Sequence, residues 1–333
     1  MILASATLAG AFGGAIAYGV GHINGTSGLS AWRWLFILEG IPSCVSAVFV
    51  YFFLPDYPET ANWLSPTEKA TAIERLRLEG SKGHARTTWA EAKQTLTDWR
   101  LYAHYAIYFG ISTPFSSLSL FTPSITAGLN YEGLQAQLMT VPPYAVAYVV
   151  TIYVSWSGDH FNARALHSAI FATIATIGAA GFLASAVLPA DAYKVRFHCS
   201  NLLSLSQYSA LSTNPIQHRY GCLIVAASGA FSCIPPLLGW LSSNLHSTAA
   251  TSLAIALNIS FGAPGQIAGV WIYKANEKER GYPTGHWTNP GLLFFVAAGC
   301  LSLLMYYRVL NHRILREAGV SREGERGVRL YRY

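Results

Sequence analysis

Charge is scarce in this chain of 333 residues: Asp, Glu, Lys and Arg together make up 11% of it, against roughly 25% in an ordinary soluble domain. Between Arg219 and Lys274, fifty-four consecutive residues carry none of these four types. That excludes water as the surroundings of the segment, because no helix of a soluble domain hides so long an uncharged run. A bilayer accommodates it. About 20 apolar residues rising ~1.5 Å each cross ~30 Å of hydrocarbon, so the run has room for two crossings joined by the polar turn 242–248.

Cysteine is sparse too. Cys44, Cys199, Cys222, Cys233 and Cys300 form no C-x-x-C pair, and four of the five lie in apolar runs, where a thiol packs as a small hydrophobe, so no metal or redox centre is expected. The chain has no Gly-x-Ser-x-Gly, no P-loop Gly-Lys-Ser/Thr and no His-Glu-x-x-His, and its ten His are dispersed in loops and span ends. No enzyme and no cofactor are expected. A nucleic-acid motif is also missing, and the net charge of +6 sits in a few blocks that suit lipid headgroups. The apolar start lacks the basic lead-in of a signal peptide and reads as a span beginning almost at Met1.

What is present is hydrophobic: 52% of residues, with a mean hydropathy of +0.31. Eight segments qualify as spans, at 2–21, 33–54, 101–121, 136–156, 166–188, 220–241, 250–273 and 290–308. They are about twice as long as barrel strands and do not alternate, and only helices or closed barrels satisfy the backbone in lipid. The expected fold is all-α, a polytopic membrane helix bundle. With eight spans both termini share a side, which holds fifteen Lys and Arg against seven on the other; the excess places both termini in the cytosol.

The soluble parts are short. In 55–100, Pro55 and Pro58 stop the second span, and Ser65-Pro66-Thr67-Glu68 is an N-cap with Pro at the first helical position, opening a charged surface helix over 67–79. A basic tail occupies 311–333. Within the spans, Gly10 to Gly14 and Gly265 to Gly269 have the GxxxG spacing that lets helices approach closely, which is expected to serve packing within the chain rather than homodimerisation.

Three stretches resemble the major facilitator superfamily, in particular its fungal anion:cation symporter branch of allantoate, nicotinate and vitamin permeases. Gly28-Leu29-Ser30-Ala31-Trp32-Arg33-Trp34-Leu35-Phe36-Ile37-Leu38-Glu39-Gly40, with Leu54-Pro55-Asp56-Tyr57-Pro58-Glu59-Thr60 and Trp63-Leu64, is similar to the two ends of that family's sixth helix. Ser157-Gly158-Asp159-His160-Phe161-Asn162-Ala163-Arg164 resembles the loop between its eighth and ninth helices, with His160 where Arg is usual. Tyr282-Pro283-Thr284-Gly285-His286-Trp287-Thr288-Asn289 resembles the approach to its last span. The resemblance implies a partial fold of that type: two helices of the N-terminal half in 1–54, a cytosolic loop in 55–100 and the six helices of the C-terminal half in 101–310, with four N-terminal helices missing. It implies a secondary transporter working by alternating access, carrying a small organic anion or vitamin-like solute with protons through a lipid bilayer, the plasma membrane being the expected host. Residues 195–217 have no counterpart in the family. Among their possible codons, Val195-Arg196 can be GTACGT, Ser212-Thr213-Asn214 can contain CTAAC and Ile216-Gln217 can be ATACAG, the order of a retained intron; the alternative is a polar outer loop.

Six residues are candidates for substrate or coupling. Glu39 is the one carboxylate well inside a predicted span, where a charge costs roughly 3 kcal/mol unless paired, protonated or facing water; it reads as a proton-coupling group or as a structural carboxylate. Ser112 and Phe115 lie midway along the third span, Tyr144 follows Pro142-Pro143, and Asn258 and Gln266 accompany Gly262 and Pro264, which are expected to loosen the seventh span so that its carbonyls face a cavity. Each of these also reads as an interhelical packing or hydrogen-bonding group. Asp159 and Arg164, as the resemblance implies, clamp neighbouring helix ends and gate the cycle. The rival reading is a membrane protein that does not transport, a relic or a receptor-like protein signalling through 55–100.

Overall fold

A computed structural model describes residues 2–54, 61, 63–78, 89–131, 133–187, 215–245, 248–280, 282–317 and 330–332. These fold into twelve α-helices with no strand among them: α1 Ile2–Gly21, α2 Ala31–Phe53, α3 Pro66–Leu78, α4 Trp89–Thr97, α5 Trp99–Ala127, α6 Leu134–Leu138, α7 Val141–His160, α8 Arg164–Val187, α9 Pro215–Ser232, α10 Ile234–Ser243, α11 Thr248–Trp271 and α12 Pro283–Glu317. All eight expected spans are helical. Six stretches of the described residues, α2, α6 with α7, α8, α9 with α10, α11 and α12, are long and apolar enough to cross a membrane by length and composition. Of the other two, α1 is strongly apolar along its length, and α5 has the length but a diluted hydropathy. A run of buried Ser and Thr lowers it in α5, and neighbours pack closely on these residues as they do on Gly10, Gly14 and Gly21 of α1.

Two spans are not single rods. The segment expected at 136–156 breaks at Met139-Thr140 into α6 and α7, and that expected at 220–241 breaks at Cys233 into α9 and α10. In both cases a Pro pair stands in the first turn of the second piece, Pro142-Pro143 and Pro235-Pro236, where the missing N–H groups are tolerated but cannot continue a preceding ladder. The expected loosening of the seventh span is corrected: α11 runs unbroken through Gly262 and Pro264. Pro264 is exposed on that helix. Residues 195–214 of the suspected intron lie outside the described residues, while 215–217 form the first turn of α9.

Close approach holds the bundle together. α5 and α11 run parallel, with Gly262, Gly265 and Gly269 turned to the face from Tyr108 to Ser117. A Cβ at Gly265 would lie 2.6 Å from the Phe109 carbonyl oxygen, so only Gly permits the spacing. α8 offers the buried stripe Ala165, Ala169, Ala172 and Ala175 to α9, where a Cβ at Gly229 would sit 2.6 Å from the Phe171 carbonyl. Gly10 faces the Tyr144 ring and Gly14 faces Thr140, which ties α1 to α7. Both GxxxG pairs thus serve contacts within the chain. Small residues matter here because lipid supplies no hydrophobic drive for one apolar helix to leave it for another.

α2 stands apart. It packs on α1, has no buried residue, and exposes Phe36, Phe49, Tyr51, Phe52 and Phe53, a surface that water does not suit. The charged helix α3 begins as its sequence predicts. Ser65 Oγ donates to Glu68 Oε2 at 2.7 Å, the Ser65 N–H donates to the same oxygen at 2.9 Å, and the Glu68 N–H approaches Ser65 Oγ at 3.4 Å. This is a capping box. The serine bonds hold the Glu68 carboxyl below its ordinary pKa.

Candidate functional site

The polar groups of the bundle gather where α5, α11 and α12 meet. On α5, Ser112 and Ser116 lie on one helical row and Thr113 and Ser117 on the next, all buried. Thr113 Oγ1 donates to the Gly265 carbonyl at 2.9 Å, and Ser117 Oγ lies 2.9 Å from the Gly269 carbonyl and 3.4 Å from Asn289 Oδ1. Asn289 Nδ2 in turn donates to the Tyr273 hydroxyl at 3.3 Å, which stands 3.4 Å from His286 Nδ1. Ser117, Asn289, Tyr273 and His286 therefore form one polar chain from the middle of the bundle to its 272–282 end.

Aromatic packing fixes its orientation. Phe121 stacks on Tyr273 with centroids 4.6 Å apart, Phe182 lies 4.8 Å from the His286 ring, and Gly285 leaves room for the Tyr273 ring. The chain borders a cleft whose other walls are apolar, among them Pro114, Leu118, Ile125, Leu223 and Leu293. Its clear space of ≈ 30 Å³ admits about two water molecules in this conformation. A small solute needs the walls to part.

The sequence candidates distribute unevenly. Ser112 is buried at the α5–α11 contact, its Oγ donating to the Tyr108 carbonyl at 2.7 Å, so it serves packing. Phe115 meets Phe231 edge to face at 5.2 Å. Tyr144 is buried, and its hydroxyl lies 3.2 Å from the Leu118 carbonyl and 3.3 Å from that of Ser119, bridging α7 to α5. Asn258 is only 2% exposed, and its Oδ1 has no hydrogen-bond partner among the described residues; neither has the Tyr105 hydroxyl. An unmatched buried acceptor costs about 1–3 kcal/mol. Gln266 is exposed on α11 and Glu39 is exposed on α2, so neither joins the polar chain.

Asp159 and Arg164 do meet. Arg164 Nε holds Asp159 Oδ1 at 2.8 Å, and Arg164 Nη1 donates to the Gly239 carbonyl of α10 at 2.9 Å. Beside them Ser157 Oγ and His167 Nε2 lie 2.9 Å apart, a second tie across the α7–α8 corner.

Sequence reasoning missed Ser117, Tyr273, His286 and Asn289 as site residues. A signal existed: Thr113 and Ser117 are four apart, and His286 and Asn289 three apart, so each pair shares a helix face. What brings the pairs together is packing between α5 and α12, separated by 172 residues at Ser117 and Asn289.

Residues 1–263 match the Major Facilitator Superfamily. The chain belongs to that superfamily. Among curated relatives, the MFS transporter prlL of Fungal sp. (strain NRRL 50135) is 67% identical over 334 residues, an alignment covering 100% of the chain and 61% of the relative. The MFS-type transporter cnsO of Penicillium expansum is 30% identical, covering 84% of the chain and 51% of the relative. A high-affinity nicotinic acid transporter of Saccharomyces cerevisiae is 26% identical, covering 84% and 47%. The chain thus spans about half to three-fifths of the length of these relatives. Membership of this superfamily agrees with the six helical stretches of the described residues that are long and apolar enough to cross a membrane, as in a multi-pass membrane protein.

Proposed function

We propose that the superfamily chain carries a small organic anion or vitamin-like solute by alternating access, coupled to protons, and belongs to the anion:cation symporter branch. The observation that carries this reading is the polar chain Ser117–Asn289–Tyr273–His286 beside a cleft in an otherwise apolar bundle. Its hydroxyl, amide and imidazole groups are donors suited to a carboxylate, and the nicotinic acid transporter among the relatives agrees with that chemistry. Asn258, with its unmatched Oδ1, adds a second polar position on α11. Ser112, Phe115, Tyr144 and Gln266 are proposed to contact the solute or take part in coupling once the helices part; none of them lines the cleft as it stands.

Glu39 is the proposed proton carrier. It is an exposed carboxylate within a helix long and apolar enough to cross a membrane, a position where a charge is costly unless it is paired or faces water. Asp159 and Arg164 are the proposed gate. We place both termini in the cytosol, from the excess of Lys and Arg on that side, and propose the plasma membrane as the host; the charge excess itself gives sidedness alone.

Uptake of labelled nicotinate and related monocarboxylates by cells expressing the chain tests the reading. Accumulation that rises as external pH falls, and is abolished by Glu39→Gln, supports it. Accumulation of none of these solutes above that of cells lacking the chain would sink it and leave the relic or receptor reading.

A further inference from the structure

At the end of the bundle where α5 begins and α10 and α12 finish, three tail residues lie in a groove that grips backbone as well as side chain. Asn311 on α12 donates Nδ2–H to the Tyr331 carbonyl at 2.8 Å and accepts the Tyr331 N–H on Oδ1 at 2.9 Å. Asn244, just beyond α10, repeats the arrangement one residue on: Nδ2 donates to the Arg332 carbonyl at 3.0 Å, and Oδ1 accepts the Arg332 N–H at 2.8 Å. The Trp240 indole N–H donates to the same carbonyl at 3.0 Å. A side-chain amide paired with both polar groups of one residue imitates a rung of a β-ladder. Here two successive residues are held this way from two different helices. The Tyr331 ring stacks on Tyr307, with centroids 5.3 Å and planes 19° apart, and the Arg100 guanidinium of α5 lies 4.7 Å over it.

The element being held has a hinge. α10 is ten residues long and is separated from α9 at Cys233, where Pro235 and Pro236 supply no N–H to a continuous ladder. Its far end carries Trp240, and Gly239 beside it takes the second contact of Arg164. Asn162, Arg164, Trp240, Ser243 and Arg332 line one small cavity there, so the tail contact and the Asp159–Arg164 clamp converge on the same turn of α10.

We propose that residues 330–332 form a detachable strap that pins the hinged half-helix α10 to α5 and α12, and that the groove of Arg100, Trp240, Asn244, Tyr307 and Asn311 is a docking site for this aromatic and basic segment of the same chain. Docked, the strap keeps α10 in register with Arg164. Released, it frees α10 to swing about Cys233 and opens this end of the bundle.

The test uses the full chain in lipid nanodiscs with Ser243→Cys as a reporter, its alkylation by a water-soluble maleimide followed by mass spectrometry at that residue. Tyr331→Phe keeps the stack on Tyr307 and is expected to label as slowly as its parent. Tyr331→Ala, which keeps the backbone bonds to Asn311 but removes the stack on Tyr307 and the Arg100 contact, is expected to label about tenfold faster. A chain ending at Arg326 should also label fast and be slowed again by an added peptide of residues 327–333; this pair decides the matter if Tyr331→Ala does not stay monodisperse. Equal rates in all chains, or a fast rate that the peptide leaves unchanged, would overturn the strap.

Discussion

Arg164 donates to the carbonyl of Gly239, 75 residues further along the chain, at 2.9 Å while holding Asp159 at 2.8 Å. The ion pair alone contributes little. Asp159 is 66% exposed, and pairs so open to solvent are worth about 0–1 kcal/mol. The bond to α10 is the part that couples two helices. Replacing Asp159 and Arg164 together by Ala is therefore expected to lower the maximal transport rate about tenfold while moving KM less than about twofold, as a coupling of 1–3 kcal/mol between helix positions predicts. Unchanged kinetics would show that the corner is only a solvated turn.

Gly265 sets the distance between α5 and α11. Its Cβ position lies 2.6 Å from the Phe109 carbonyl oxygen, a backbone atom that cannot rotate away. Gly265→Val should destabilise the bundle by about 1–3 kcal/mol, the usual cost of overpacking, and lower its melting temperature in detergent. Gly291 has nothing within 4 Å of its Cβ position, so Gly291→Ala should leave the melting temperature within error or raise it.

The capping box at the start of α3 gives a pH dependence of known sign. Glu68 has a lowered pKa because Ser65 donates to its carboxylate, so the stabilisation is present above the carboxyl's unfolded pKa and is lost as pH falls through the lower folded value. In a peptide of residues 63–80, helical circular dichroism should weaken on acidification below about pH 4. Ser65→Ala should start less helical and lose less over the same range; identical titrations in both peptides would remove the box from the account.

The segment 195–217 has a nucleic-acid test. If it is a retained intron, mature messages join the Lys194 codon to that of His218. The joined chain would lose the first turn of α9 but keep Arg219, which donates to the Ser185 carbonyl at 2.9 and 3.2 Å. Messages that mostly retain the interval would establish the loop instead.

The bundle was legible in the sequence because lipid imposes a coarse rule: long uncharged runs must be helices, and all eight runs are. The kinks at Thr140 and Cys233 were marked by Pro142-Pro143 and Pro235-Pro236, but a hydropathy reading joins such pieces since proline scarcely changes the average. The meeting of Asp159 with Arg164 was to be expected from the resemblance of the 157–164 corner to the family loop, and the two side chains do pair there. The polar chain was not. Ser117 and Asn289 each look like an isolated polar group in a span, and only the packing of α5 against α11 and α12 puts them within 3.4 Å. Pro264 misled for the opposite reason, since local propensity favours a break that lipid, leaving no water for the freed carbonyl, does not reward.

The polar chain is the centre of the proposal, and binding tests it most directly. Thermal unfolding of the purified chain in detergent, titrated with nicotinate and a panel of related monocarboxylates, should show stabilisation that saturates. Asn289→Leu removes the link between Ser117 and Tyr273 and should weaken that response about tenfold or more, because its neighbours are left unmatched. An undiminished response in Asn289→Leu, or no response of the unaltered chain to any of these solutes, would contradict it.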